Sequence, residues 1–413
     1  MSNTSNPEAP LPRPSLTRRR NLLVAGGLAG LLVAGGTIAA VVLLGGDDSR
    51  EVETEVLRDP VSEEPEELWT WSGEATSLAA VGDVTVVGSE EAGEVVALDE
   101  DGEELWTSDL GAYAHSVPLY PDIVFVMSSG LQDVHALSID DGEVLWTIEN
   151  GYLTGSHEAG LVYTDADEAV LGLVESATGE EVWEVSGVDS YALTEDAAYV
   201  LDDGRLSRLA IDSGEEEWSV DTGSEPTDNR YVPLVANDDL VVVSDAEAVA
   251  YDAGDGAELW SEAAGDGDEV TLFSSDRVSI ATVGASAAYP VAVTVYDRDG
   301  EVGALDVDPE SGYFYAEPFE ADGNTYVYDS ASGRIFDEGL EEVGRYDGDG
   351  TLVDGGLYTL QDDGKLSYYE LTASSPAWSI ETPWSPEVET EQALVTLDGR
   401  LAIVTGDGVV SYG

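Results

Sequence analysis

The chain has 413 residues, 43% of them aliphatic or aromatic, enough to bury a large core in one to three domains. It carries 86 acidic residues against 15 basic ones, with Lys365 the only lysine, which excludes a nucleic-acid partner, since phosphate binding needs a basic surface. The acids run along the whole chain and read as a solvated surface, not as one patch built for a cationic ligand. Cysteine is absent, which removes disulfides, thiolate metal sites, cysteine nucleophiles and a lipid-modified cysteine anchor.

Residues 1–20 are polar and end in Arg18, Arg19 and Arg20. An uncharged apolar run follows over residues 22–44. At about 1.5 Å per helical residue it spans a hydrocarbon core of about 30 Å. Basic residues precede the run, and Asp47, Asp48, Glu51, Glu53 and Glu55 follow it. The positive-inside rule then predicts a cytoplasmic tail at 1–20, a transmembrane helix at 21–46 and everything after it outside the cytoplasm. A cleaved signal peptide and a twin-arginine export signal around Arg19 and Arg20 are the alternatives. Residues 47–65, acidic and interrupted by Pro60 and Pro65, read as a solvated linker.

From there the chain repeats. Residues 95–106, 134–146, 170–183, 206–218 and 248–260 are copies of one unit, and 366–378 is a degenerate copy. Each copy is an apolar run, an Asp/Gly turn and a second short run ending in Trp, the pattern of a β-hairpin whose glycine takes positive φ. A further β-rich run precedes each hairpin, at 84–87, 123–127, 161–163, 198–201 and 240–243. Trp69, Trp106, Trp146, Trp183, Trp218 and Trp260 follow one another at 35–42 residues, and Trp378 comes 118 residues after Trp260. Between those two the period persists without the Trp, in strand pairs at 277–283 with 291–296 and 325–328 with 333–336. A four-stranded sheet recurring at this period is a propeller blade. At the seam, residues 409–412 match the first strand of the hairpin and Glu67-Leu68-Trp69 match its second. The N-terminal strand is therefore predicted to complete the last blade and close the ring.

The motif resembles the pyrroloquinoline-quinone-like β-propeller repeat. It shows in Ala97-Leu98-Asp99, Asp101-Gly102 and Trp106, and again in Thr178-Gly179 and Trp183, and the likeness covers about residues 66–413. The resemblance implies an all-β propeller of four-stranded antiparallel blades over 66–413. It also implies a repeated Trp that packs between neighbouring blades. The family's usual blade number is eight. Strand pairs counted directly give nine candidates, and the expectation is eight, with the surplus one placed within 307–346.

Quinoprotein dehydrogenases share this fold. They resemble one another in an adjacent cysteine pair beside the cofactor and in a metal held by Glu, Asn and Asp. Neither set is found here, so no catalytic, cofactor-binding or metal residue is assigned and no cofactor is expected. His135 falls on a strand, and His115 and His157 fall between strands in successive blades. Asp347-Gly348-Asp349-Gly350 with Asp354 looks like a calcium loop but reads better as a turn. The expected function is a non-catalytic, membrane-tethered, extracytoplasmic propeller that binds a protein partner. Within the family the nearest analogue is a propeller lipoprotein that acts as a scaffold in outer-membrane protein assembly. A ligand-binding sensor and an oxidoreductase or hydrolase with a site in the central channel are the alternatives.

Overall fold

The computed structural model describes residues 60–413 apart from short segments, the longest being 224–231, 284–289, 308–313 and 385–393. The expected tail and membrane helix, and the linker up to residue 59, lie outside the described residues.

The described residues form nine four-stranded antiparallel sheets. Eight are built from four consecutive strands each: blade 1 at 77–108, blade 2 at 113–148, blade 3 at 151–186, blade 4 at 190–221, blade 5 at 234–263, blade 6 at 269–306, blade 7 at 316–345 and blade 8 at 349–381. Blade 9 takes its first three strands, Leu394–Leu397, Arg400–Thr405 and Gly408–Tyr412, from the C-terminus and its fourth, Glu67–Ser72, from the N-terminus. Trp69 pairs with Ser411 and Trp71 with Val409, and Glu66 and Gly413 exchange backbone hydrogen bonds at 3.1 Å. The ring thus closes as the sequence predicts, but with nine blades where eight were expected. The span 307–346 holds a complete blade, strands Ala316–Ala321, Asn324–Asp329, Arg334–Asp337 and Glu342–Arg345.

First strands of neighbouring blades touch at the junctions of blades 9 and 1, 1 and 2, 4 and 5, 5 and 6, and 6 and 7. The nine hydrophobic clusters are the nine blade-to-blade seams. Val162, Leu171 and Trp183 of blade 3, for example, pack on Ala198, Val200 and Leu209 of blade 4. Ala197, Tyr199 and Leu201, which alternate with them on the same strand, pack on Val241 and Val243 of blade 5. Successive side chains of a strand point to opposite faces, and a middle strand here buries both. Such strands therefore read as unbroken apolar runs.

Seven seams carry a Trp from the fourth strand. The indole Nε1–H of Trp69, Trp106, Trp146, Trp183, Trp218 and Trp260 donates at 2.6–3.0 Å to a carbonyl in the next blade's turn between third and fourth strands. In five of these turns a positive-φ glycine lies on the tryptophan. A Cβ at Gly102, Gly142, Gly179, Gly214 or Gly256 would come within 2.6–2.8 Å of it. Glycine is needed there twice over, for the left-handed backbone and for the close approach.

The seventh, Trp378, faces blade 9, whose third and fourth strands come from opposite chain ends and share no turn. Val61 fills the gap: its carbonyl accepts from Trp378 Nε1 at 2.8 Å and its N–H donates to the Tyr358 hydroxyl at 2.6 Å. Val61 falls in the span read as solvated linker, yet it is buried in the seam with Trp384 and Leu394.

Seams 6/7 and 7/8 have no Trp because Gly303 and Gly344 stand at its register position. In the first, Leu340 takes the turn position held elsewhere by glycine, at φ 63°, and its Cδ1 reaches over Gly303. Arg277 Nη1 donates at 2.6 Å to the Glu338 carbonyl, which corresponds to the carbonyl that accepts from the indole in other turns. In the second, Tyr346 folds against Gly344 and packs edge-on to Tyr369 of blade 8, ring centroids 4.9 Å apart. Each seam keeps its packing while losing the residue that marks it in the sequence.

Candidate functional site

The histidines do not converge. His135 lies on the third strand of blade 2, with Nδ1 2.9 Å from Thr147 Oγ1, and burial lowers its pKa against the charge of Asp133. His115 and His157 are on the first strands of blades 2 and 3, not in the loops expected for them. The Nδ1 of His157 accepts from the Ala159 N–H at 3.0 Å. Of the calcium-like segment, Asp347 and Gly348 lie outside the described residues, and Asp349 opens the first strand of blade 8, paired with Leu360. Among the described residues no group of three or more His, Asp or Glu is placed to hold a metal ion.

Two carboxyl clusters have shifted proton affinities. In blade 7, Asp329 is fully buried. It accepts from the Tyr315 N–H at 3.1 Å and from the Ser332 hydroxyl, with Arg334 3.5 Å away. Burial raises its pKa against these hydrogen bonds and the guanidinium. Burial raises Glu317 on the innermost strand of the same blade, the nearby Ser330 hydroxyl opposes this, and the charge of Asp329 adds to it. The bonds of Asp329 to Ser332 and Arg334 close the turn between second and third strands, and the bond from Tyr315 pins the chain just before the first strand, so the cluster organises the blade. The other lies where the first turns of blades 4 and 5 meet. There Asp238 is pushed up to about 6, by desolvation first and then by the charges of Asp196, Glu195 and Asp239.

One cavity, of about 250 Å³, opens at seam 6/7, one of the two that lack the Trp. Ser274, Ser275, Asp276 and Arg277 of blade 6 line it with Thr325 and Glu338 of blade 7. The Ser274 hydroxyl donates to Asp276 at 2.8 Å, and the buried Arg277 Nε has no hydrogen-bond partner.

The most distinctive surface lies on the outer rim. In eight of the nine blades the fourth strand begins with a β-bulge, one residue before Trp or its replacement. The bulged residue drops out of the ladder. It is Leu68, Leu105, Leu145 and Val182 in blades 9, 1, 2 and 3 and Val302 in blade 6. These five and Val144 are the exposed large hydrophobics among the described residues, each 40–49% accessible. Sequence reading missed this position, since Glu-Leu-Trp read only as the end of the hairpin's second strand.

Comparison with known proteins places the chain. The family model described as outer membrane protein assembly factor BamB matches residues 53–173 and 166–313. No curated protein matches the sequence. Similar solved structures include BamB from Moraxella catarrhalis, 14% identical over 85% of this chain and 97% of that one, with a TM-score of 0.44. Another is the computationally designed Ika8 protein, 14% identical over 84% and 98%, TM-score 0.44. A third is the dihydro-heme d1 dehydrogenase NirN in complex with DHE, 12% identical over 75% of each chain, TM-score 0.49. With more than half of its length matched by the family model, the chain belongs to the family of the outer membrane protein assembly factor BamB.

Proposed function

We propose that this protein is a membrane-tethered, extracytoplasmic scaffold whose propeller binds a partner protein and performs no reaction of its own. The observation that carries the reading is the outer rim. In a chain of formal charge −71, five of the six exposed large aliphatics among the described residues fall at one structural position. Scattered single apolar residues need no explanation, whereas a repeated apolar position rimmed by charge suits a protein contact. The BamB family and the fold fit this role, and the apolar run at 22–44 supplies the tether.

The test has two arms. Protease added to intact cells is expected to digest the propeller and spare a tag on the N-terminus. Purified protein passed through gel filtration with pyrroloquinoline quinone and calcium is expected to retain no quinone and to reduce no dye with alcohols or sugars. Protection of the propeller, or retained quinone with substrate-dependent dye reduction, contradicts the proposal.

A second reading, a small-ligand module, rests on the cavity beside Arg277, whose buried Nε lies 3.9 Å from Asp276 and has no hydrogen-bond partner. The rim carries the first reading further, because it recurs over several blades.

A further inference from the structure

We infer that the outer rim of blades 9, 1, 2 and 3 docks a folded partner protein whose contact face sets lysine or arginine side chains among apolar ones. The inference rests on the scaffold reading and deepens it by naming the surface and the partner's chemistry.

The fold does not require an apolar residue at the bulge. Blade 4 has Glu217 there, and its carboxylate forms an ion pair with Arg208. In blades 5 and 7 the bulged Leu259 and Val343 are partly buried against their seams. In blades 9, 1, 2 and 3, which are consecutive around the ring, Leu68, Leu105, Leu145 and Val182 all stand out into solvent. Val144 adds a fifth aliphatic beside Leu145. The result is one aliphatic knob per blade along a continuous arc.

The charges beside these knobs define the partner. The residue before the bulge is an exposed glutamate in blades 9, 1 and 3: Glu67, Glu104 and Glu181. The corresponding glutamates of blades 4 and 7 already have cations, with Arg205 at 2.9 Å from Glu216 and Arg345 at 3.2 Å from Glu342. Among the described residues, Glu67, Glu104 and Glu181 form no ion pair. The arc therefore offers apolar anchors flanked by carboxylates without counter-cations, and complementarity calls for an apolar face carrying Lys or Arg. A second copy of this chain does not fit, because its own surface is strongly acidic. A single added strand would reach one blade edge only, whereas the anchors recur over four blades, so the occupant is a folded face.

The test uses the full chain in its own cells with a photoreactive phenylalanine analogue at one position at a time. Leu105 is the rim position, Glu262 on the fourth strand of blade 5 is the control, and Asp255 and Asp203 report on the two flat faces. We expect Leu105 to crosslink to one discrete protein through a peptide containing Lys or Arg, and Glu262 not to. The triple substitution Leu68→Glu, Leu145→Glu, Val182→Glu is expected to lower the Leu105 yield by about tenfold, since a few buried anchors carry most of a contact's affinity. Glu217 shows that the fold accepts glutamate at this position, and an unchanged melting temperature of the triple variant verifies it. An undiminished yield in the triple variant, an equal yield at Glu262, or an acidic crosslinked peptide overturns the inference. Crosslinks at Asp255 or Asp203 with none at Leu105 overturn it and leave the scaffold reading standing. Crosslinks at none of the positions overturn both.

Discussion

At the residue scale, Asp238 shows how an acidic surface limits its own stability. It sits in the turn between the first and second strands of blade 5, where Asn237 Oδ1 accepts from the N–H groups of Asp239 and Leu240 at 3.0 Å. The equivalent turn of blade 4 holds Glu195 and Asp196 against it, and the Arg208 guanidinium is engaged by Asp196 at 2.6 Å and by Glu217. The Asp238 pKa of about 6 lies above the roughly 3.9 of an unfolded chain. Between these values the folded state holds more protons than the unfolded one, so stability falls as pH rises through the window and stays lower above it. Asp238→Asn removes this term. Melting temperature followed from pH 4 to pH 7.5 is expected to show a flatter decline for the variant and a higher value at pH 7.5. An unchanged pH profile contradicts the assignment.

At the scale of elements, the seam is the unit that sequence and structure share. The Trp and the positive-φ glycine are legible in the sequence because they belong to a local hairpin repeated at fixed spacing. The replacements at blades 6 and 7 are not, because each involves residues far apart in the chain. Nothing in the sequence marks Leu340 as a residue with φ 63°, or couples Arg277 to the Glu338 carbonyl 61 positions away. This is why the blade at 316–345 looked like a surplus count. The exposure of Leu68 and Leu105 was hidden for a related reason, since it depends on a register shift that an apolar pattern cannot reveal. The seam account makes a double-mutant prediction. Gly303→Trp alone should destabilise, because a Cβ there would already lie 3.0 Å from Leu340 Cδ1. Adding Leu340→Gly clears the space and relieves a left-handed backbone that costs a non-glycine residue about 1–2 kcal/mol. The double variant should therefore melt above Gly303→Trp, with a coupling of about 0.5–3 kcal/mol by denaturant titration. Additive losses would show that seam 6/7 is not built on the plan of the others.

At the scale of the whole molecule, the ring is held shut where the chain ends meet. The strand Glu67–Ser72 supplies the edge of blade 9 and carries Trp69 and Trp71 into the seam with blade 1. A few residues upstream, Val61 completes the opposite seam by giving Trp378 a carbonyl and Tyr358 a donor. The N-terminal segment thus binds both faces of the closing blade. The blade repeat and the closing strand could be read from the sequence. The role of Val61 could not, since one apolar residue in an acidic, Pro-containing stretch looks like linker.

The most direct test of this closed nine-bladed ring is the thermal melting of three soluble chains, beginning at Pro60, Glu66 and Gly73. Loss of Val61 strips one buried side chain and two hydrogen bonds, and a hydrogen bond is worth about 1 kcal/mol net. Loss of Glu67–Ser72 removes a whole strand and the partly buried Trp69 and Trp71, whose combined packing is worth several times one such hydrogen bond. It also leaves Gly408–Tyr412 as an unpaired edge prone to association. The account predicts melting temperatures falling in the order Pro60, Glu66, Gly73, with the last chain aggregating. Three chains that melt together and remain monomeric would show that the N-terminal segment does not close the propeller.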